Sequence, residues 1–210
     1  MANIKYLMQG FRDDVNFCDE IIEILKCDEY NKSYVLTAFV NDTAIYNLEK
    51  EIEVSEADII FIVGVRNNVT TYQGLKRLLN SKACVYTFDT ARNDSIFHVK
   101  TVMAVGHERS KVICGSANIT TGGFANNVEA GLVTDLDYQN KEDKALSIEI
   151  NNYITSIISE YPENVKKIDA DYLEVLRKDG LVVDEDKTPN RNNAKVDGST
   201  DGKISIVSKF

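Results

Sequence analysis

Ser95–Val105, SIFHVKTVMAV, is the stretch from which this 210-residue chain is best read. Ile96, Phe97, Val99, Val102, Met103 and Val105 give it the β-branched and aromatic bias of a strand. In extended backbone, residues i and i+2 share a face, so His98 and Lys100 should project together. Gly115-Ser116-Ala117-Asn118 follows, and then Glu129. An imidazole, an ammonium, a hydroxyl, a carboxamide and a carboxylate thus fall within one short span. Such a set suits attack on a phosphorus centre: the cation and the amide donors neutralise the anion while the imidazole attacks or carries a proton.

Outward from this stretch, Ser33–Val40 (SYVLTAFV) and Ala57–Val65 (ADIIFIVGV) are near-continuous apolar runs, as expected for strands of a sheet covered on both faces. Further strands are predicted at Ala83–Phe88, Phe97–Val105, Lys111–Cys114 and Ala130–Asp135. Helices are predicted after Asp13 or Asp14 (Val15, Cys18, Ile21, Ile22 and Leu25 inward), from Asn41 to Leu48, from Thr70 or Thr71 to Leu79, from Asn140 to Glu160, and over Asp171–Leu176. Strands alternate with helices early and then follow one another. That pattern describes a mixed β-sheet with helices on both faces, an α/β/α sandwich. Residues 1–183 read as one domain. Residues 184–210 are polar and read as a tail, or a linker to a further domain, with Ile204–Val207 as a last edge strand or the start of that domain.

The net charge of −9 argues against a nucleic-acid binder, but its distribution does not. Residues 64–125 hold eight cations (Arg66, Lys76, Arg77, Lys82, Arg92, Lys100, Arg109, Lys111) against Asp89, Asp94 and Glu108, a local +5 between flanks of −8 and −6. Charges are screened over about 8 Å at physiological salt, so a basic surface could form there despite the acidic total. Scattered, solvated cations are the alternative. Cys18, Cys27, Cys84 and Cys114 have no metal-binding or redox spacing and read as small buried hydrophobes of a reducing cytoplasm. No apolar run approaches membrane-spanning length, and no metal or cofactor is implied. Gly122-Gly123 reads as loop geometry, Thr120 and Thr121 as loop or phosphate contacts, and His107 as a hairpin tip.

His98-x-Lys100, Gly115-Ser116-x-Asn118 and Asn127-x-Glu129 together resemble the signature of the phospholipase D-like superfamily, in the order and spacing of its metal-independent nuclease and restriction-endonuclease branch. The resemblance extends over about residues 1–160 and implies a phospholipase D-like catalytic domain over 1–183. It departs from the longer family motif at Val105, where an aspartate is usual, and it holds only one motif. The resemblance implies that His98 attacks phosphorus to form a phosphohistidine, that Lys100 and Asn118 donate to the non-bridging oxygens, that Glu129 holds the imidazole N–H, and that Ser116 joins that network. It also implies that a second histidine comes from another copy, in a C2 homodimer sharing one site.

Taken singly, His98 and Lys100 read as a strand histidine and an edge lysine, Ser116 and Asn118 as turn residues, and Glu129 as a partner for a nearby cation; their joint occurrence at these separations is what favours a site. Three functions follow. The first is a cytoplasmic, dimeric, metal-independent endonuclease acting on DNA, in restriction or defence, with target recognition on another domain or partner chain. The second is a phosphodiesterase acting on phospholipid. The third is a non-catalytic nucleic-acid-binding module.

Overall fold

The computed structural model describes residues 2–11 and 16–185. In chain order it comprises β1 (Asn3–Gln9), α1 (Phe17–Lys26), β2 (Tyr30–Thr37), α2 (Asp42–Val54), β3 (Asp58–Gly64), α3 (Tyr72–Leu79), β4 (Cys84–Phe88), β5 (Lys100–Gly106), β6 (Arg109–Gly115), β7 (Glu129–Asp137), α4 (Lys141–Glu160), β8 (Val165–Lys167) and α5 (Ala170–Lys178). A π-helical turn, Gly122–Asn126, lies between β6 and β7. Each α-helix starts on a side chain that accepts from the first-turn N–H groups: Asn16, Asn41, Thr71, Asn140 and Asp169. Asp13 and Asp14, the predicted caps of the first helix, lie outside the described residues.

The eight strands form one sheet in the order β1-β7-β6-β5-β2-β3-β4-β8. β2, β3 and β4 run parallel, and every other pairing is antiparallel. Parallel neighbours need crossovers, which α2 and α3 supply. One face carries the larger core, where Ile21 and Ile24 of α1, Ile45 and Leu48 of α2, Leu75 and Leu78 of α3 and Leu176 of α5 meet Val35, Phe61, Val63, Val102 and Ile113. On the other face Ile150, Ile154, Ile157 and Ile158 of α4 cover Tyr34, Leu36, Ile62, Met103, Val112 and Leu136. The expected α/β/α sandwich is the observed architecture.

Three expectations shift. The strand predicted to begin at Phe97 begins at Lys100, because its neighbour β2 stops at Thr37, the register partner of Lys100. Beyond Thr37 the chain turns away, and Val40 bridges Ile119 instead. Residues 95–99 therefore have no ladder to join. Phe97 stacks on Phe88 (ring centroids 4.7 Å apart), and its carbonyl passes so close to Gly64 that a Cβ there would lie 2.9 Å away. β1 and β8 were not anticipated, being edge strands without a continuous apolar run. Cys114 is exposed, not buried, while Cys18, Cys27 and Cys84 are half-buried.

The segment predicted as tail stays in contact at its start. The Glu185 N–H donates to Gln73 Oε1 (3.0 Å), and its carboxylate accepts from the Asp42 N–H (3.1 Å). Residues 186–210, with most of that predicted segment, lie outside the described residues. Among the described residues no helix is long and apolar enough to cross a membrane.

Candidate active site

Register explains why the singled-out residues meet. Lys100 opens β5, Gly115 closes β6 and Glu129 opens β7, and β6 lies between the other two. Antiparallel pairing therefore brings all three termini to one end of the sheet, where β2 and β3 also finish. Ser116 and Asn118 leave β6 at that end, and His98 arrives there just before β5.

Glu129 is buried and hydrogen-bonded on both oxygens: Ser116 Oγ donates to Oε2, and Asn127 Nδ2 donates to Oε1 at 2.9 Å. A buried carboxylate needs such donors to stay charged. Ser116 Oγ also accepts from the Ala130 N–H (3.1 Å), and the Ser116 N–H donates to the Ala130 carbonyl (2.9 Å). The hydroxyl is thus fixed between two strands. The resemblance implied that Glu129 holds the His98 imidazole, but no hydrogen bond joins them among the described residues. His98 sits ahead of the strand, with its ring exposed and edge-on to Phe39 (centroids 5.7 Å apart).

Lys100 and His98 do come together, and Phe39 is where they meet. Lys100 Nζ lies 5.8 Å from the Phe39 ring centroid and donates to the His98 carbonyl oxygen at 3.1 Å. Burial pulls the Lys100 ammonium below the usual lysine pKa, and the charge of Glu129 opposes that pull. Asn118 Oδ1 is buried and has no hydrogen-bond partner among the described residues. Such an atom costs stability, and as an acceptor it can receive only a donor group; donation to an anion falls to Asn118 Nδ2.

The loop behind these groups is held by residues that the sequence reading missed. Gln9, buried at the end of β1, donates from Nε2 to the Gly123 and Asn127 carbonyls (3.0 and 3.3 Å) and accepts the Phe17 N–H on Oε1 (3.0 Å). Gly123 packs on the Asn118 backbone so closely that a Cβ would lie 2.2 Å from its carbonyl oxygen. Thr120 and Thr121 serve the loop, Thr120 Oγ1 accepting from the Gly123 N–H (3.1 Å) and Thr121 Oγ1 from Asn41 Nδ2 (3.0 Å). Phe39 was open to discovery as the end of a strand finishing at the site. Gln9 offered no signal once β1 was unread.

The cations of residues 64–125 do not gather here. Arg66 pairs with Asp89, Arg77 with Asp42 and Glu49, Arg92 with Asp94, Arg109 with Glu29 and Lys111 with Asp135. Lys76 lies over the Tyr72 ring, and Lys82 donates to the Ser55 carbonyl. Acidic residues from the flanking segments account for Arg77, Arg109 and Lys111, so the local excess in sequence does not become a basic surface at the site.

Residues 31–158 match the family described as cardiolipin synthase, PLD-like domain, which is more than half of the chain. The chain belongs to the phospholipase D-like family. Solved phospholipase D-like structures share its fold. NucT from Helicobacter pylori superposes with a TM-score of 0.60 at 15% identity, covering 80% of this chain and 100% of NucT. Nuc from Salmonella typhimurium, a phospholipase D family member, gives 0.57 at 12%, covering 81% and 100%. Phosphatidylserine synthase from Haemophilus influenzae gives 0.54 at 13%, covering 86% of this chain but 46% of the synthase. No curated protein sequence matches the chain.

Proposed function

We propose that this phospholipase D-like chain is a metal-independent phosphodiesterase that cleaves DNA through a phosphohistidine, at a site shared by two copies. The carrying observation is the convergence of His98, Lys100, Ser116, Asn118 and Glu129 on one end of the sheet. In the proposed reaction a ring nitrogen of His98 attacks phosphorus and the P–O bond to the leaving strand breaks. The partner's His98 supplies the proton that the leaving oxygen takes up. That imidazole then accepts a proton from water, whose oxygen attacks phosphorus and releases His98. Lys100 and Asn118 stabilise the non-bridging oxygens as charge grows in the transition state, and each such donor contributes about 10²–10³ in rate. Glu129 keeps Ser116 and Asn127 in place and returns negative charge towards Lys100, which favours the ammonium that the role requires. The single-motif chain spans the whole length of NucT and Nuc, and a second copy would supply the second histidine that the proposed reaction uses.

One observation favours a second reading. With the arginines of residues 64–125 paired elsewhere, Lys100 is the cation that the described residues bring to the site, which also suits a small phosphodiester such as a phospholipid headgroup. Plasmid, single-stranded DNA and phosphatidyl substrates assayed side by side in excess EDTA decide between them. Cleavage of DNA that resists EDTA and disappears in His98→Ala is expected. A magnesium requirement, or turnover that survives the substitution, overturns the mechanism.

A further inference from the structure

Phe39 is a large apolar side chain that the cores do not use. Its neighbours Ala38 and Val40 are fully buried, whereas Phe39 is half-buried and, among the described residues, belongs to neither hydrophobic core. Its backbone is nevertheless fixed from two directions. Thr37 Oγ1 donates to the Phe39 carbonyl (3.0 Å) and accepts the Ile119 N–H (3.2 Å), which ties Phe39 to the residue after Asn118. From the other side Gly64 allows a close approach, since a Cβ there would lie 2.8 Å from the Ala38 carbonyl oxygen and 2.9 Å from that of Phe97. The residues just ahead of Phe39 and of His98 are thereby pressed together. The two rings then meet edge-on, with their planes 67° apart and their centroids 5.7 Å apart. The same phenyl ring takes the Lys100 ammonium at 5.8 Å from its centroid.

We propose that Phe39 is a positioning residue of this site: its ring holds the His98 imidazole and the Lys100 ammonium in one arrangement, ready for a phosphodiester. The inference rests on the reading that these two residues act on phosphorus. Three observations carry it. A nucleophilic ring needs a fixed orientation, and the Glu129 carboxylate, which could have supplied one, is engaged by Ser116 and Asn127. Edge-to-face packing is an arrangement that aromatic pairs favour, and here it restrains the imidazole in place of a hydrogen bond. Secondly, an aromatic face attracts an ammonium without neutralising it. Among the described residues Lys100 has this ring and the His98 carbonyl as partners and no salt bridge, so further N–H donors stay available to phosphate oxygens. A carboxylate in the place of Phe39 would compete with the substrate for that charge. Thirdly, Thr37 links the ring to the loop of Asn118, so imidazole, ammonium and amide share one frame.

The test uses the full chain. Phe39→Leu and Phe39→Met remove the ring and keep apolar bulk, Phe39→Tyr keeps the ring, and circular dichroism checks that each variant folds. The chain has two histidines, so the ring-proton NMR signals of His98 are those that remain in His107→Ala. In the wild type the Phe39 ring current should displace these signals. They should return towards free-histidine positions in Phe39→Leu and Phe39→Met, and stay displaced in Phe39→Tyr. For DNA cleavage kcat should fall about 10–100-fold in the two aliphatic variants with KM within about threefold, and Phe39→Tyr should recover to within about threefold of wild type. His98 signals that stay put when the ring is lost, or folded aliphatic variants with wild-type kcat, overturn the positioning role. A tyrosine variant as impaired as the leucine one also overturns it, because the loss then follows packing alone. A wild type with displaced His98 signals but no turnover of any phosphodiester overturns the function proposed above and leaves the ring contact standing.

Discussion

A histidine lies just beyond each end of β5, and the two ends are built differently. At the far end, His107 lies in the turn into β6. Gly106 is pressed against the Glu29 carbonyl, where a Cβ would come within 2.1 Å, and Arg109 and Lys111 are paired with Glu29 and Asp135. At the site end, Lys100 is desolvated, Asn118 Oδ1 is unpartnered among the described residues, and the His98 ring is open to solvent. The loops leaving β3 and β4 there hold Arg66, Asn68 and Ala91 at positive φ (60°, 56° and 55°), which disfavours L-residues by about 1–2 kcal/mol each. At the far end the two cations beside the histidine are paired within the chain. At the site end a buried amide oxygen has no partner among the described residues, which makes that end the better candidate for receiving a ligand.

The sharpest way to break this contrast is to exchange the two imidazoles for alanine. His98→Ala should remove at least about 10⁴-fold of DNA-cleaving turnover, because nucleophile and proton carrier vanish together. His107→Ala should leave turnover unchanged and stability within about 0.5 kcal/mol. Equal losses in both would erase the distinction. Lys100→Met should come next, with turnover falling about 10²–10³-fold while the melting temperature holds or rises, because a partly desolvated charge has been removed. A clear loss of stability would mean that Lys100 is structural.

Gly123→Ala should cost about 1–3 kcal/mol, since its methyl meets the Asn118 carbonyl, and should lower turnover by displacing Asn118. Denaturant unfolding beside a turnover assay reads both effects. The smallest effect is expected at the Arg66–Asp89 pair, which braces the loops after β3 and β4 with bonds of 2.6 and 2.8 Å. Asp89→Asn should cost about 1–2 kcal/mol at neutral pH. Arg66 holds the Asp89 carboxyl below its ordinary pKa, so the pair's contribution is fully present above about pH 4 and fades as pH falls further. Melting curves of wild type and variant should therefore converge in acid. A constant gap would assign the effect to packing.

Much of the fold was legible because burial writes long apolar runs. β2 and β3 are buried on both faces, and their strings of Val, Ile, Leu and Phe stand out without any knowledge of neighbours. The helices were legible through caps such as Asn41, Thr71 and Asn140, which follow from backbone hydrogen-bonding needs alone. β1 escaped because Ile4, Tyr6 and Met8 face outward while Leu7 and Gln9 face the core, a pattern given meaning only by β7, more than a hundred residues away. The same distance hid Gln9. His98, Lys100, Ser116, Asn118 and Glu129 were picked out by type and order, and register brings their backbone positions to one sheet end. The hydrogen bonds among them were not readable: Glu129 turned out to be engaged by Ser116 and Asn127. Nor did a count of cations in sequence reveal their acidic partners from other segments.

The pairing of β1 with β7 also bears on how the protein is made. β1 pairs with a strand more than a hundred residues further along, so this edge of the sheet closes only once residues up to 137 are in place, at the entropic expense of a very long loop. Until then Gln9 has no Gly123 or Asn127 carbonyl to grip, and the loop carrying Asn118 lacks its anchor. A chain lacking β1 would hold the same candidate residues without the contact that anchors their loop.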